Sequence, residues 1–289
     1  MQHDEQVPVS EAARADHAAD DGTHEVLPDV AYERLVLVNV VLLGEAGAGD
    51  GRWVLVDAGV PGSAGTIRRA AERRFGRDAR PSGIVLTHAH FDHVGALATL
   101  ADKWDVPIWA HTLELPYLDG SRAYPPPDPS VGGGLMARLS PLFPRDPIDV
   151  SPRLRPLPDD GAVPGLPGWR WLHTPGHTEG HVSLWRAADR TLVAGDAVIT
   201  TRQESAYAVL AQRPEVHGPP RYFTPDWIGA RRSVERLAAL DPARLVTMHG
   251  HALAGPEMRD ALATLAARFD DLAVPSTGRY VPSRLASPP

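Results

Sequence analysis

The chain has 289 residues, 43% of them hydrophobic, enough to bury a sizeable core in one large domain. It has no cysteine, which excludes disulfides, thiolate metal ligands and a cysteine nucleophile. A formal net charge of −7 disfavours a nucleic-acid backbone as partner, because phosphate binding needs a basic face. The longest apolar stretches, such as residues 35–43, fall far short of a membrane span. No basic start followed by an apolar block opens the sequence, so no secretory signal is visible and a cytoplasmic protein is expected.

In chain order, residues 1–25 are polar, poor in aromatics and rich in Ala, Asp, Glu and His, and predict a disordered tail in which His3, His17 and His24 have no specific task. Residues 26–275 then carry the folded domain, and 276–289 form a second tail. Residues 35–43 and 53–56 read as adjacent strands joined by a turn-rich segment. Helical periodicity covers about 63–75, 94–103, 226–240 and 256–272. Strands recur near Ile108 and Trp171 and over 182–185, 191–194 and 245–248. Grouped strands with interleaved helices predict an α/β protein with two layers of sheet covered by helices. Two stretches interrupt the pattern. Residues 117–158 are dense in Pro and Gly, with a short helix near 135–142, and residues 200–224 hold Arg202, Glu204, Tyr207, Arg213, His217, Arg221, Tyr222 and Phe223. Such long loops serve as substrate lids or as surface and dimer contacts, which leaves room for a homodimer.

The densest chemistry lies in Thr87, His88, Ala89, His90, Phe91, Asp92 and His93, directly after the apolar Ile84, Val85 and Leu86. Three imidazoles and a carboxylate on a loop at a strand end present donors that borderline divalent cations accept. Further donors follow apolar runs in the same way: His177 after the Pro175-Gly176 turn, Asp196 after Gly195, and His249 and His251 around Gly250. Asp57 also ends a strand, where a solvated turn is the alternative reading.

In the order Asp57; His88, His90, Asp92 and His93; His177; Asp196; His251, the chain resembles the metallo-β-lactamase superfamily of metal-dependent hydrolases. The resemblance implies an αββα sandwich of two mixed β-sheets flanked by helices, with metals at one edge. It implies a first metal held by His88, His90 and His177, a second by Asp92, His93 and His251, and a bridging Asp196. Asp57 would orient a ligand. The motif alignment favours His251 over His249. His181 reads as a packed histidine beside the site, His173 and His111 as structural or surface residues, and His217 as part of a solvated loop. Segments after the bridging aspartate shape the substrate pocket in this family, which makes Arg202, Tyr207, Arg221 and Tyr222 the substrate candidates.

Two zinc ions are the expected cofactor, with Fe2+ or Mn2+ as alternatives. Two cations sharing Asp196 would share a water and lower its pKa from about 15.7 toward about 7, so that hydroxide can attack a small ester, thioester or lactone. Asp92 could also orient that hydroxide or pass a proton. No Gly-x-Ser-x-Gly elbow competes. A bridging aspartate at position 196 speaks against β-lactam hydrolysis, and the absence of lysine between Asp196 and His251 against RNA processing. The stretch after His251 is too short for the helical glutathione-binding region of glyoxalase II, leaving a glyoxalase II-like hydrolase of a small molecule. Two other readings share the ligand set: a mononuclear iron persulfide dioxygenase, and a metal-binding subunit without catalysis.

Overall fold

The computed structural model describes residues 6–282, and within them the chain divides into two compact units. One comprises Asp16–Tyr124 and Arg145–Leu172; the other comprises residues 6–15, 125–144 and 173–282.

The first unit is built on an eight-stranded sheet whose strands lie side by side in chain order: His17–Ala18, His24–Leu27, Val30–Arg34, Asn39–Leu43, Val54–Val56, Gly83–Val85, Ile108–Ala110 and Leu154–Pro156. Pairing is antiparallel up to Val54–Val56 and parallel beyond it. The parallel strands need crossovers, which the helices Ala64–Phe75 and Leu97–Trp104 supply. Ala64–Phe75 buries Ile67, Ala70, Ala71, Arg74 and Phe75, the spacing of one helical face, and ends at Gly76 with φ 112°, a conformation suited to glycine. Trp53 stacks on Phe75 with ring centroids 4.3 Å apart and meets Trp104 edge-on, closing the core below Val54–Val56. All three residues of Val54–Val56 and of Gly83–Val85 are buried, as parallel strands require, and Asp57 and Thr87 follow their ends.

The second unit carries strands Val182–Arg186, Thr191–Val193, Arg244–Val246 and Leu253–Ala254 in that spatial order. Thr191–Val193 runs parallel to Arg244–Val246, and helix Trp227–Ala239 makes the crossover. Asp226 caps that helix, its Oδ1 accepting from the amides of Ile228 (3.1 Å) and Gly229 (3.0 Å). Helix Gly255–Ala267 packs beside it through Met258, Ala261, Leu262 and Leu265. The short helix expected near 135–142 is present as Leu135–Leu139 followed by a 3-10 turn.

Three boundaries differ from the sequence reading. Residues 35–43 are not one strand: Leu35 N–H donates to Val38 O (2.8 Å), turning the chain so that Val30–Arg34 pairs with Asn39–Leu43. The tail expected over 1–25 is folded from Gln6 onward. Val7–Pro8 pairs with Glu215–Val216, and Ser10 bonds Glu257 through N (2.7 Å) and Oγ (2.6 Å). The buried Arg74 guanidinium gathers Asp21 (3.2 Å), Glu25 (3.0 Å) and Pro28 O (2.6 Å), so polar residues that read as solvated have a partner. At the other end Arg279 N–H donates to Asp128 Oδ2 and Tyr280 OH to Pro126 O, so the expected C-terminal tail is docked as far as it is described; His3 and residues 283–289 lie outside the described residues. No described helix is long and apolar enough to cross a membrane.

Candidate metal centre

In the first unit, Asp57 and the segment 87–93 converge at the ends of neighbouring parallel strands. Asp57 takes φ 60°, a left-handed conformation that aspartate tolerates better than most residues. Its Oδ1 accepts from Thr87 N–H (2.7 Å), and its Oδ2 accepts from Thr87 Oγ1 (2.7 Å) and from His93 Nδ1 (2.7 Å). Ala58 N–H donates to His93 O (2.6 Å), binding the two loops together from the backbone side. Gly95 allows this approach, because a Cβ there would lie 2.1 Å from Pro61 N.

These bonds fix tautomers. An ionised Asp57 can only accept, so His93 Nδ1 carries its proton and Nε2 presents a lone pair. Thr87 Oγ1 donates to Asp57, so at 3.1 Å it accepts from His88 Nδ1–H, which makes Nε2 the acceptor atom of His88 as well. The rings of His88, His90 and His93 are close together: centroids are 4.7 Å apart for His88 and His90 and 4.0 Å for His88 and His93. Asp92 Oδ1 stands 3.8 Å from His93 Nε2. Asp57, Thr87, His88, His90, Asp92 and His93 are all buried.

In the second unit, His177, Asp196 and His249 form a matching group. Asp196 follows Thr191–Val193 after Gly195 (φ 60°), and its Oδ2 lies 3.5 Å from His177 Nε2 and 3.2 Å from His249 Nε2. Thr224 Oγ1 donates to Pro220 O (2.8 Å) and therefore accepts from His177 Nδ1 at 3.4 Å, again leaving Nε2 to face the carboxylate. His181 Nδ1 donates toward Thr174 (Oγ1 at 2.9 Å, O at 3.1 Å) while Nε2 accepts from Asp196 N–H (2.9 Å). With both ring nitrogens engaged, His181 holds the backbone of Asp196 in place.

The last histidine is a correction. The imidazole that the structure brings to Asp196 is that of His249, where the sequence favoured His251. The His249 carbonyl accepts from Thr200 N (2.8 Å) and Thr247 Oγ1 (2.8 Å), and the His251 carbonyl accepts from Thr200 Oγ1 (2.6 Å). Gly250 between them has φ 102°, and a Cβ there would lie 2.3 Å from Thr200 Oγ1.

Other residues are reassigned. His217 is fully buried, not solvated: its Nδ1 donates to Gly218 O (2.8 Å) and its Nε2 accepts from Gln6 Nε2 (3.0 Å), whose Oε1 is held by Gly218 N–H (2.8 Å). Burial lowers its pKa to about 4. The Arg221 guanidinium donates to the carbonyls of Leu272 (2.8 Å) and Ala273 (3.1 Å) at the end of helix Phe269–Leu272, and Tyr222 sits in a small apolar cluster with Val131 and Ala137. Both have structural duties. Tyr207, 67% exposed, lies in the first turn of the helix Ala206–Ala211. His111 accepts from Leu113 N–H (3.3 Å) and packs edge-on against Trp171, and His173 pairs with Glu179 O. Thr224, Glu114 and Tyr124 were missed from the sequence, since they are distant along the chain from what they touch; Thr87 was named with the motif but given no role.

Residues 34–249 match the family model of the Metallo-beta-lactamase superfamily. The probable metallo-hydrolase YflN of Bacillus subtilis (strain 168) is 50% identical over 220 residues, covering 76% of this chain and 83% of YflN. The hydroxyacylglutathione hydrolase of Xanthomonas euvesicatoria pv. vesicatoria is 29% identical over 153 residues, 53% of this chain and 44% of that protein. Among solved structures, TTHA1623 in a di-iron-bound form superposes with a TM-score of 0.52 at 28% identity, covering 81% of this chain and 95% of TTHA1623. The chain belongs to the metallo-β-lactamase superfamily and has its α/β fold of mixed sheets flanked by helices.

Proposed function

We propose that the chain is a metallo-hydrolase that binds two divalent cations and cleaves a small ester, thioester or lactone. The observation that supports it best is the set of fixed tautomers: His88, His93 and His177 each have Nδ1 held by an acceptor, so that Nε2 is the free-electron-pair atom on every ring. A neutral imidazole so oriented is a metal ligand in waiting. In this reading the family's ligand order supplies the grouping: His88, His90 and His177 would hold one cation, Asp92, His93 and His249 the other, with Asp196 shared, and His249 taken for the last histidine because its imidazole lies at Asp196. All donors are nitrogen or carboxylate oxygen, which suits zinc, iron or manganese better than a soft cation. Zinc is our assignment; the di-iron form of TTHA1623 makes iron its rival.

Bound, such a pair supplies Lewis acidity, lowering the pKa of a water from about 15.7 toward about 7 and polarising the electrophilic oxygen. The chain's residues do the rest. Asp57 and Thr87 hold the Nδ1 protons of His93 and His88, so that Nε2 is the atom each ring offers to a cation. His181 sets the aim of Asp196 through its amide. The burial of the donors excludes bulk water from the ligand atoms. Arg202 and Tyr207 are proposed to contact substrate.

The reading is tested by hydrolysis of a panel of esters, thioesters and lactones before and after removal of metal with a chelator. Turnover on at least one class that disappears on chelation and returns with zinc supports it. Oxygen uptake with a persulfide and no hydrolysis on any class would replace it with the dioxygenase reading.

A further inference from the structure

We propose that Glu114 and Tyr124 are positioning residues for the metal centre, acting on the Ala89 amide that lies between His88 and His90; the inference rests on the metal-site reading above. The Ala89 N–H donates to Glu114 Oε2 (3.0 Å) and to Tyr124 Oη (3.0 Å), and the Tyr124 hydroxyl donates to the same Glu114 oxygen. The three groups close a triangle around one peptide hydrogen.

Two features set this triangle apart from ordinary loop bonding. Glu114 is completely buried, and a buried carboxylate is costly unless its hydrogen bonds are good. Here the hydrogen bonds that hold the carboxylate include the Tyr124 hydroxyl and an N–H in the middle of a His-Ala-His run. Tyr124, in turn, cannot swing away. Its ring stacks on Tyr117 at 3.8 Å with planes 9° apart, and it lies 4.4 Å from the His90 ring, inclined at 52°. Its hydroxyl is spent as a donor to Glu114, which ties the ring to the carboxylate as well.

The consequence follows from the backbone. On an extended segment, side chains two apart leave on the same side, and their relative direction is set by the dihedrals of the residue between them. Locking the Ala89 amide therefore sets the aim of His88 and His90 together. Asp57 and Thr87 fix the ring of His88, whereas Glu114 and Tyr124 fix the peptide that carries the pair, so the two devices are independent. Glu114 also adds a buried negative charge one residue from each of these ligands, which favours a cation.

Metal binding is the direct readout. Co(II) affinity by chelator competition and the visible absorption of the Co(II) protein would be measured for Glu114→Gln, Tyr124→Phe and His90→Ala, with the thermal midpoint of each metal-free protein. Glu114→Gln keeps an acceptor for Ala89 and removes the charge; Tyr124→Phe removes only the hydroxyl. Each is expected to weaken Co(II) binding roughly 10- to 100-fold and to change the absorption band, as loss of a ligand's outer support does. A purely structural role would lower the metal-free thermal midpoint and leave affinity and band shape alone. Wild-type Co(II) affinity and spectrum in both variants, with binding lost in His90→Ala, would overturn the inference and leave the metal site standing. Wild-type binding in His90→Ala would overturn both.

Discussion

Asp57 Oδ2 accepts a hydrogen bond from His93 Nδ1 at 2.7 Å, with both side chains fully buried. The same carboxylate holds Thr87 through its amide and hydroxyl, and Thr87 holds His88. One aspartate thus governs the proton position on two proposed ligands of different cations. Asp57→Asn places an amide donor or a weaker acceptor against His93 Nδ1, which favours the wrong tautomer. Metal affinity is expected to fall about 10- to 100-fold, measured by chelator competition. An affinity equal to wild type would deny Asp57 this role.

The assignment of His249 predicts different outcomes for two neighbours. His249→Ala should lose about one metal equivalent per chain, because its Nε2 is the one at Asp196. His251→Ala should keep its metal. The comparison is made by elemental analysis of both variants, and the opposite pattern would restore His251 as the ligand.

Gly250→Ala is expected to destabilise the protein even though the added group is one methyl. At φ 102° a side chain is strained, and the new Cβ would meet Thr200 Oγ1 at 2.3 Å and Thr200 C at 2.6 Å. A loss of about 2 kcal/mol or more is expected in urea unfolding. The damage should extend to metal content, since Thr200 holds the His249 and His251 carbonyls.

His217 gives stability a pH dependence. Its pKa in the folded chain is about 4, below the ordinary 6.5, because burial disfavours its charged form, with Arg221 and Arg202 adding to that effect and Glu204 opposing it. Between these values the unfolded chain takes up a proton that the native chain does not. The stability from keeping it neutral is therefore complete above pH 6.5 and is lost as pH falls toward 4, on the order of 3 kcal/mol. Urea midpoints from pH 7 to 4 should fall more steeply in wild type than in His217→Gln. Parallel slopes would contradict the buried neutral state.

The sequence made the core of this arrangement legible where chemistry is local. The run from Thr87 to His93 is dense enough in donors to announce itself, and the strands before Asp57 and Asp196 are short apolar runs. Family membership, the α/β fold and most helices could be read in the same way. What was not legible depends on distance along the chain. Glu114 and Tyr124 reach Ala89 from 25 and 35 positions away, and nothing in their neighbourhoods marks them. Residues 6–25 have the composition of a tail, yet Gln6 answers His217 and Arg74 answers Asp21 and Glu25 across the fold. That His249 is the imidazole 3.2 Å from Asp196 is a matter of tertiary placement, which a motif spacing does not encode.

The most direct test of the central claim is elemental analysis of protein purified without added metal, run on wild type and on the double variant His90→Ala, His177→Ala. The account predicts about two divalent cations per chain in wild type, zinc foremost, and loss of at least one in the double variant. Full metal content in the double variant would contradict it.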